Sequence, residues 1–380
     1  MPNTGILVVS RNFPPLTGGM ERLMAHAVEA LAEAHTVTVI GPTGGERHCP
    51  KGVRYLGCPP SAATFLPCAL VKGLIETRRR KFNLVLGGSG VVAPVTRLVS
   101  KASGARSAVF VHGLDLVARS AVYQRLFVPS IRRHDIVIAN SQNTQRLAIE
   151  CGCDPARVHI VNPGCVVPDA ADLPESNTFR KNRNLDDASI VLFVGRIIKR
   201  KGLIPFIRHA WPSIVADLKR ARLVIVGDTP ADALMRNASE AQQLDSAVAS
   251  APAGSIAFLG NVDDEVLAAC YASADCLVFP LIPVEGDVEG FGMVAIEAAA
   301  QGTPTIAFDV GGIADAVSDE LSGRLIAPSD YPALAAAITE ACGQSGFVRE
   351  NIREFASEFS WQRYGQKLRQ ALGLTARAGP

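Results

Sequence analysis

The sequence lacks the features that define several large protein classes. No apolar run approaches the ~20 residues that a helix needs to span a bilayer. Met1 is followed almost at once by the short run Ile6-Leu7-Val8-Val9, without a basic leader and a long apolar segment, so no secretory signal is visible. Nine cysteines, an odd number, are scattered without a CxxC pair. The one close pair, Cys151 and Cys153, has no His or Cys run near it at zinc spacing. They read as reduced thiols of a cytosolic protein, several of them core filler. Basic residues are not interleaved with aromatics and no nucleic-acid-binding motif occurs, so nucleic acid is not the expected partner. The absence of GxGxxG argues against a nicotinamide-dependent enzyme.

What is present is a chain of 380 residues, 48% of them apolar and 19% charged. That composition excludes disorder and collagen. A single core stops growing at about 250–300 residues, so two domains are expected. The net charge of +2 conceals an asymmetry: residues 1–168 carry 19 Lys and Arg against 9 Asp and Glu, and residues 169–380 carry 19 against 27. One half is therefore +10 and the other −8, and a basic half of this kind suits an anionic surface.

Short β-branched runs alternate with amphipathic stretches in both halves, the pattern of a parallel sheet covered by helices. Strands are expected at 6–10, 36–40, 84–86, 108–112 and 136–140, then at 190–194, 223–226, 256–259, 276–279 and 305–308. Expected helices include 20–34, 66–81, 92–103, 117–133, 142–151, 203–218, 264–273, 294–301 and 361–372. Residues 168–187 lose apolar periodicity and are rich in Pro, Asp and Asn, which marks a linker.

Three βα junctions carry groups suited to chemistry. Gly18 and Gly19 stand directly before the first helix, where backbone N–H groups can approach an anion. The same pair also fits a loop that needs positive φ. Arg196 leaves a strand of the second half and Lys201 follows five residues later at a helix start, a pair able to neutralise a diphosphate. Glu289 and Glu297, with seven residues between them, flank Gly290, Gly292 and a helix N-terminus. Glu297 lies among alanines, where a carboxylate is costly to bury unless it accepts hydrogen bonds. Such carboxylates suit the hydroxyls of a ribose and a sugar.

Taken together, the GGME segment, GRIIKRKG, the paired glutamates, QGTPTIAFDVGGIADAV and the FSW before the last helix resemble the family 4 glycosyltransferases. The resemblance runs along essentially the whole chain. It implies a GT-B fold: an α/β chain of two Rossmann-like, doubly wound domains facing a cleft, with a C-terminal helix returning to the N-terminal domain. The expected acceptor domain is 1–168 plus 360–380, the linker 169–187 and the donor domain 188–359.

By the same resemblance, the backbone of Gly18 and Gly19 contacts the donor's distal phosphate, and Arg196 and Lys201 clamp the diphosphate. Glu297 binds the ribose, and Glu289, assisted by the N–H groups of Phe291, Gly292 and Met293, holds the transferred sugar. His112 lies near the sugar's C6 hydroxyl, Val262 holds the base through its backbone, and Asn140-Ser141 is a further crevice element. The family implies a retaining hexosyltransferase using a GDP- or UDP-linked sugar, with no metal or further cofactor. Its acceptor is a glycan or lipid-linked sugar of cell-envelope or polysaccharide biosynthesis. The lead-in 280–289 is longer and more acidic than the family's usual one, so Glu285 competes with Glu289 for the sugar role. It is similar to that of bacterial mannosyltransferases acting on lipids.

Two stretches, Leu66–Lys81 and Tyr123–Arg133, combine apolar residues with cations, as a surface at an anionic leaflet does. The implied location is cytoplasmic, free or peripheral on the inner membrane face. The alternatives are a non-hydrolysing nucleotide-sugar epimerase of the same fold and a non-catalytic glycosyltransferase-like binding subunit.

Overall fold

The computed structural model describes residues 5–374 apart from 170, 172, 175, 229–237, 344 and 345. The chain divides into two compact units. The first comprises the described residues of Met1–Gly164, Gly286–Phe291 and Trp361–Pro380, and the second those of Cys165–Glu285 and Gly292–Ser360.

The first unit is built on seven parallel strands: β1 (Gly5–Val9), β2 (Thr36–Pro42), β3 (Arg54–Cys58), β4 (Leu84–Gly87), β5 (Arg106–Val111), β6 (Ile136–Ala139) and β7 (Val158–Ile160). Their spatial order is β3-β2-β1-β4-β5-β6-β7. Alternate side chains of β1 serve the two faces, as the two-residue strand period requires. Ile6 and Val8 pack with the helix Gly19–Ala32, and Leu7 and Val9 with Phe65, Ala69 and Val99 of the opposite layer. The C-terminal helix Trp361–Ala371 belongs to this unit and buries Tyr364 and Leu368, four residues apart, on the first face. Trp361 stacks on His26 at 3.8 Å, and Arg369 donates to the Ala30 carbonyl at 2.6 Å and to Glu33 at 2.8 Å.

The second unit repeats the plan with β8 (Ser189–Val194), β9 (Ala221–Val226), β10 (Ile256–Gly260), β11 (Cys276–Phe279), β12 (Thr305–Phe308) and β13 (Gly323–Ile326), ordered β10-β9-β8-β11-β12-β13. Strand β8 alternates in the same way, with Val191 and Phe193 on one core and Ile190, Leu192 and Val194 on the other. In each sheet the chain order reverses at one place, between β1 and β4 and between β8 and β11. Ligands of open parallel sheets bind beyond the strand ends at such reversals.

The central strands match the expected runs within one or two residues, and β11 and β12 match at both ends. The three strands without a sequence signal, β3, β7 and β13, all lie at sheet edges. Their side chains are mostly half-buried, so selection for an apolar run is weak there. The expected helix 203–218 is two helices, Leu203–His209 and Trp211–Asp217, divided where Pro212 cannot donate a backbone hydrogen bond. The expected helix 117–133 resolves into Leu114–Val117, a wide turn at Tyr123–Phe127, and Val128–Arg132. Inside the stretch read as linker, Ser176–Asn182 forms a helix. Its Arg180 donates to the Ser273 carbonyl at 2.7 Å and pairs with Asp275 at 3.0 Å, covering the C-terminus of the helix Asp264–Ser273. A single cation at a helix end can hold such a segment without apolar periodicity.

Candidate active site

The C-terminal edge of the second sheet is laced by backbone hydrogen bonds between successive loops. Gly195 N–H donates to Val226 O, Ile197 N–H to Asp228 O and Gly227 N–H to Gly260 O, at 3.0, 3.1 and 2.8 Å. Gly227 is obligatory: its φ is +121°, and a Cβ there would stand 2.8 Å from the Gly195 carbonyl carbon. The loops after β8, β9 and β10 are therefore fixed relative to one another, and Arg196, Lys201 and Val262 ride on them. Arg196 is exposed at the end of β8. Lys201 is only 9% exposed; its stem passes Gly195, and its ammonium lies 4.4 Å from the centre of the Phe279 ring. Gly195 directly follows β8 and Phe279 ends β11, so Lys201 sits at the reversal point of the sheet. Val262 packs on the adjoining core, and Asp263 caps the helix Asp264–Ser273 by accepting from Val266 N–H at 2.8 Å. That cap opens the helix expected at 264–273.

The helix Met293–Ala300 opens at the same strand ends. Gly292 precedes it at φ +96°, and a Cβ there would meet Ile313 at 2.8 Å and Phe279 at 3.0 Å. The first N–H groups of a helix have no partner within it, and here Met293 stands at that start. Glu297 is half-buried one turn further on, beside buried Ala298, Ala299 and Ala300. Its Oε2 accepts from the Tyr271 hydroxyl at 3.0 Å, which supplies a hydrogen bond that a carboxylate among alanines requires. Its charge also acts on Cys165, whose thiol is pushed up to about 12 by burial first and by Glu297 second. Tyr271 and Phe279 were not singled out in the sequence. Each lies in an apolar run that reads as core, and no motif separates them from it.

In the first unit, Gly18 (φ +155°) precedes the helix Gly19–Ala32. The Glu21 carboxylate lies against Gly18 and accepts from Asn12 Nδ2 at 2.8 Å. Glu21 and Asn12 are 8% and 7% exposed, so a carboxylate already occupies this helix start, where the helix dipole favours negative charge. His112 directly follows β5, and its Nε2 donates to the Gly88 carbonyl at 2.9 Å. Its backbone N–H donates to Asp115 at 3.1 Å, and Asp115 accepts in turn from the Tyr123 hydroxyl at 3.3 Å.

Asn140 directly follows the neighbouring strand β6, and Ser141 caps the next helix by accepting from Thr144 N–H at 3.1 Å. Gly290, in the segment grouped with this unit, lies so close that its absent Cβ would stand 2.6 Å from both Asn140 Nδ2 and the His112 carbonyl oxygen. The structure thus brings together His112, Asn140 and the Gly286–Phe291 segment that carries half-buried Glu289 and buried Phe291. Glu285 is exposed and grouped with the second unit. Among the described residues, no group of three or more His, Cys, Asp or Glu could hold a metal ion.

A sheet-edge cation, a hydrogen-bonded carboxylate one turn into the helix Met293–Ala300 and a doubly wound plan used in both units agree with what comparison with known proteins finds. The family model described as Glycosyl transferases group 1 matches residues 188–344, and that described as Glycosyltransferase Family 4 matches residues 17–167. The chain belongs to the family 4, group 1 glycosyltransferases.

Relatives within the family include D-inositol 3-phosphate glycosyltransferase 2 of Catenulispora acidiphila, 35% identical over 234 residues. That match takes in 60% of this chain and 53% of the relative, so the chain spans about half the length of this relative. The GDP-mannose-dependent alpha-(1-6)-phosphatidylinositol monomannoside mannosyltransferase of Mycolicibacterium smegmatis is 29% identical over 351 residues, 88% of each chain. Among solved structures, sucrose-phosphate synthase from Thermosynechococcus elongatus matches with a TM-score of 0.79 at 23% identity, over 98% of each chain. Anabaena HepE in complex with UDP and glucose matches with a TM-score of 0.78 at 19% identity, over 98% of this chain and 100% of that one. The fold of this glycosyltransferase is GT-B.

Proposed function

We propose that this glycosyltransferase is a retaining hexosyltransferase that moves a hexosyl group from a nucleoside-diphosphate sugar to a glycan or lipid-linked acceptor of the cell envelope. The observation that carries the reading is the second sheet's reversal point, with the buried Lys201 ammonium beside the helix that bears Glu297. Breaking the anomeric C–O bond leaves charge on the departing diphosphate, and Lys201 and Arg196 stabilise that charge as it develops. Fixed protein cations make a metal unnecessary in this reading. Gly18 and Gly19 add backbone N–H groups at the distal phosphate, Val262 holds the base, and Glu297, oriented by Tyr271, accepts from the ribose. Glu289 holds the sugar with Phe291, Gly292 and Met293, and His112 lies near its C6 hydroxyl. The two expected domains then divide the work, 188–359 for the donor and 1–168 with 360–380 for the acceptor. The acceptor proton passes to a phosphate oxygen.

The relative's name and the long acidic lead-in at 280–289 favour a GDP-mannose donor. A thermal-shift panel of GDP, UDP, ADP and their sugars tests the donor, because a ligand that binds only the folded state raises its melting temperature. GDP-mannose is expected to give the largest shift, and a UDP-sugar giving the largest shift overturns that choice. Formation of free epimer without acceptor would favour the epimerase reading instead.

The acceptor side points to an anionic membrane surface. The helix Ala62–Arg79 turns Phe65, Ala69, Gly73 and Glu76 inward, so Val71 and Ile75 face solvent. Val71 is 56% exposed, and so are Leu98 at 53%, Val122 at 61% and Leu126 at 60% on the neighbouring segments. Arg78, Arg79, Arg80 and Lys81 are exposed at the end of this helix. No helix of the described residues is long and apolar enough to cross a membrane. Co-sedimentation with vesicles of anionic lipid is expected at low salt, and equal binding to neutral vesicles removes the idea.

A further inference from the structure

The edge strand β3 and the helix Ala62–Arg79 that follows it are tied to each other at two points. At the start of β3, Arg54 donates to Glu76 through Nε and Nη2, both at 3.1 Å, and Glu76 is only 2% exposed. At its end, the Cys58 thiol donates to the Cys68 sulfur at 2.6 Å. Arg54 and Cys58 are about 13 Å apart along the strand, and Cys68 and Glu76 about 12 Å apart along the helix. The two ties are therefore in register, and joining the sulfurs asks for no backbone movement. Cys58 is fully buried and Cys68 half-buried, so Cys68 is the one that a dissolved oxidant reaches. Lys72, one helix turn beyond Cys68, donates its ammonium to the Gly57 carbonyl and brings positive charge to Cys58. Burial pushes the Cys58 thiol up to about 12, the contact with Cys68 adds to this, and Lys72 opposes it. Cys276 also faces a cysteine, Cys342, but it is fully buried on β11 beside Asp275, whose charge opposes a thiolate.

We propose that Cys58 and Cys68 are a reversible disulfide site, closed by a small-molecule disulfide such as oxidised glutathione, which locks the helix Ala62–Arg79 onto β3. The Cys68 thiolate attacks one sulfur of the oxidant, forming a mixed disulfide and expelling one thiolate. Cys58 then gives up its proton to solvent, and its sulfur attacks the Cys68 Sγ and expels the second thiolate. The two cysteines lose two electrons and two protons, and the oxidant is reduced to two thiols. Because the second step is intramolecular, the close approach of the sulfurs offsets the small thiolate fraction at Cys58, and Lys72 favours that thiolate as it forms. The locked helix is the one that exposes Val71 and Ile75 and ends in Arg78, Arg79, Arg80 and Lys81, so oxidation stiffens this basic surface. The inference uses no residue of the donor site and does not depend on it.

The full chain is equilibrated in glutathione buffers from fully reduced to fully oxidised, with disulfides mapped by peptide mass spectrometry and amide hydrogen exchange followed in parallel. Oxidation is expected to consume two of the nine thiols, both in a Cys58–Cys68 bond. Exchange across 62–79 is expected to slow about ten-fold, and dithiothreitol should reverse both changes. In Cys68→Ser the slowing should vanish and the Cys58 thiol should stay free. Cys342→Ser, which removes the other facing pair and keeps this one, is expected to respond as the parent does. Nine free thiols at the most oxidising ratio would overturn the proposal. So would a bond mapped to Cys276–Cys342 instead, or a Cys68 that stays glutathionylated without release by Cys58.

Discussion

The two sheets follow one plan yet treat charge oppositely at the equivalent place. At the reversal between β8 and β11, the second unit holds a buried ammonium over a ring. At the reversal between β1 and β4, the first unit holds a buried carboxylate, Glu21, fixed by Asn12. Arg11 in that loop turns away to the Pro60 carbonyl, 3.3 Å distant. This is the reverse of the overall balance, in which residues 1–168 are +10 and 169–380 are −8. The first unit's cations concentrate instead at the exposed end of the helix Ala62–Arg79 and around 125–133. Net charge therefore follows the exposed surface, while the charge at a sheet edge is set by the few side chains that topology gathers there.

The comparison breaks most readily at the second unit. Lys201→Ala and Glu297→Ala are each expected to lower kcat/KM by about 10²–10³, with melting temperatures close to that of the parent. Near-normal activity in both, measured with the preferred donor, would show that the cationic edge is only structural. Glu21→Ala in the first unit is expected to do the opposite. It removes a buried charge-assisted hydrogen bond and costs about 1.5–3 kcal/mol in urea unfolding, with a smaller loss of kcat/KM than either second-unit variant.

A finer test concerns Tyr271. Tyr271→Phe deletes one hydrogen bond to Glu297 and should raise the donor KM about ten-fold. The change should be less for a donor analogue lacking the ribose hydroxyls, and an equal change for both would mean that Tyr271 does not act through the ribose.

A last expectation concerns pH dependence. His134, fully buried in the first unit, bonds to Thr96 at 2.9 Å and to the Ser130 carbonyl at 2.8 Å, and burial lowers its pKa to about 4. The unfolded chain takes up this proton near pH 6.5 and the folded one only near 4. Stability is therefore complete above pH 6.5 and falls as the pH drops toward 4, by up to about 3 kcal/mol at the low end. Urea unfolding of His134→Gln across this range should give a shallower slope, and an identical slope would assign the acid sensitivity elsewhere.

Much of the fold was legible because parallel central strands are buried on both faces and must be continuously apolar. β1, β8, β11 and β12 read directly for that reason. The half-buried edges β3, β7 and β13 did not, nor did the helix Ser176–Asn182, which depends on Arg180 meeting the end of a helix some ninety residues on. At the site, the glycines, Arg196, Lys201 and the paired glutamates are local in sequence and form motifs.

Tyr271 and Phe279 are different. Residue type and spacing can announce a cation before a helix or a carboxylate among alanines, because those features are costly unless used. They cannot announce which core aromatic ends beneath the ammonium, or which tyrosine reaches the carboxylate, since an apolar run reads alike whether or not one of its members faces a charge. The sequence alone determined the fold class, the family and the charged groups. Tertiary structure alone decided their neutral partners, because only the packing of distant strands and helices brings an aromatic ring or hydroxyl within reach of them.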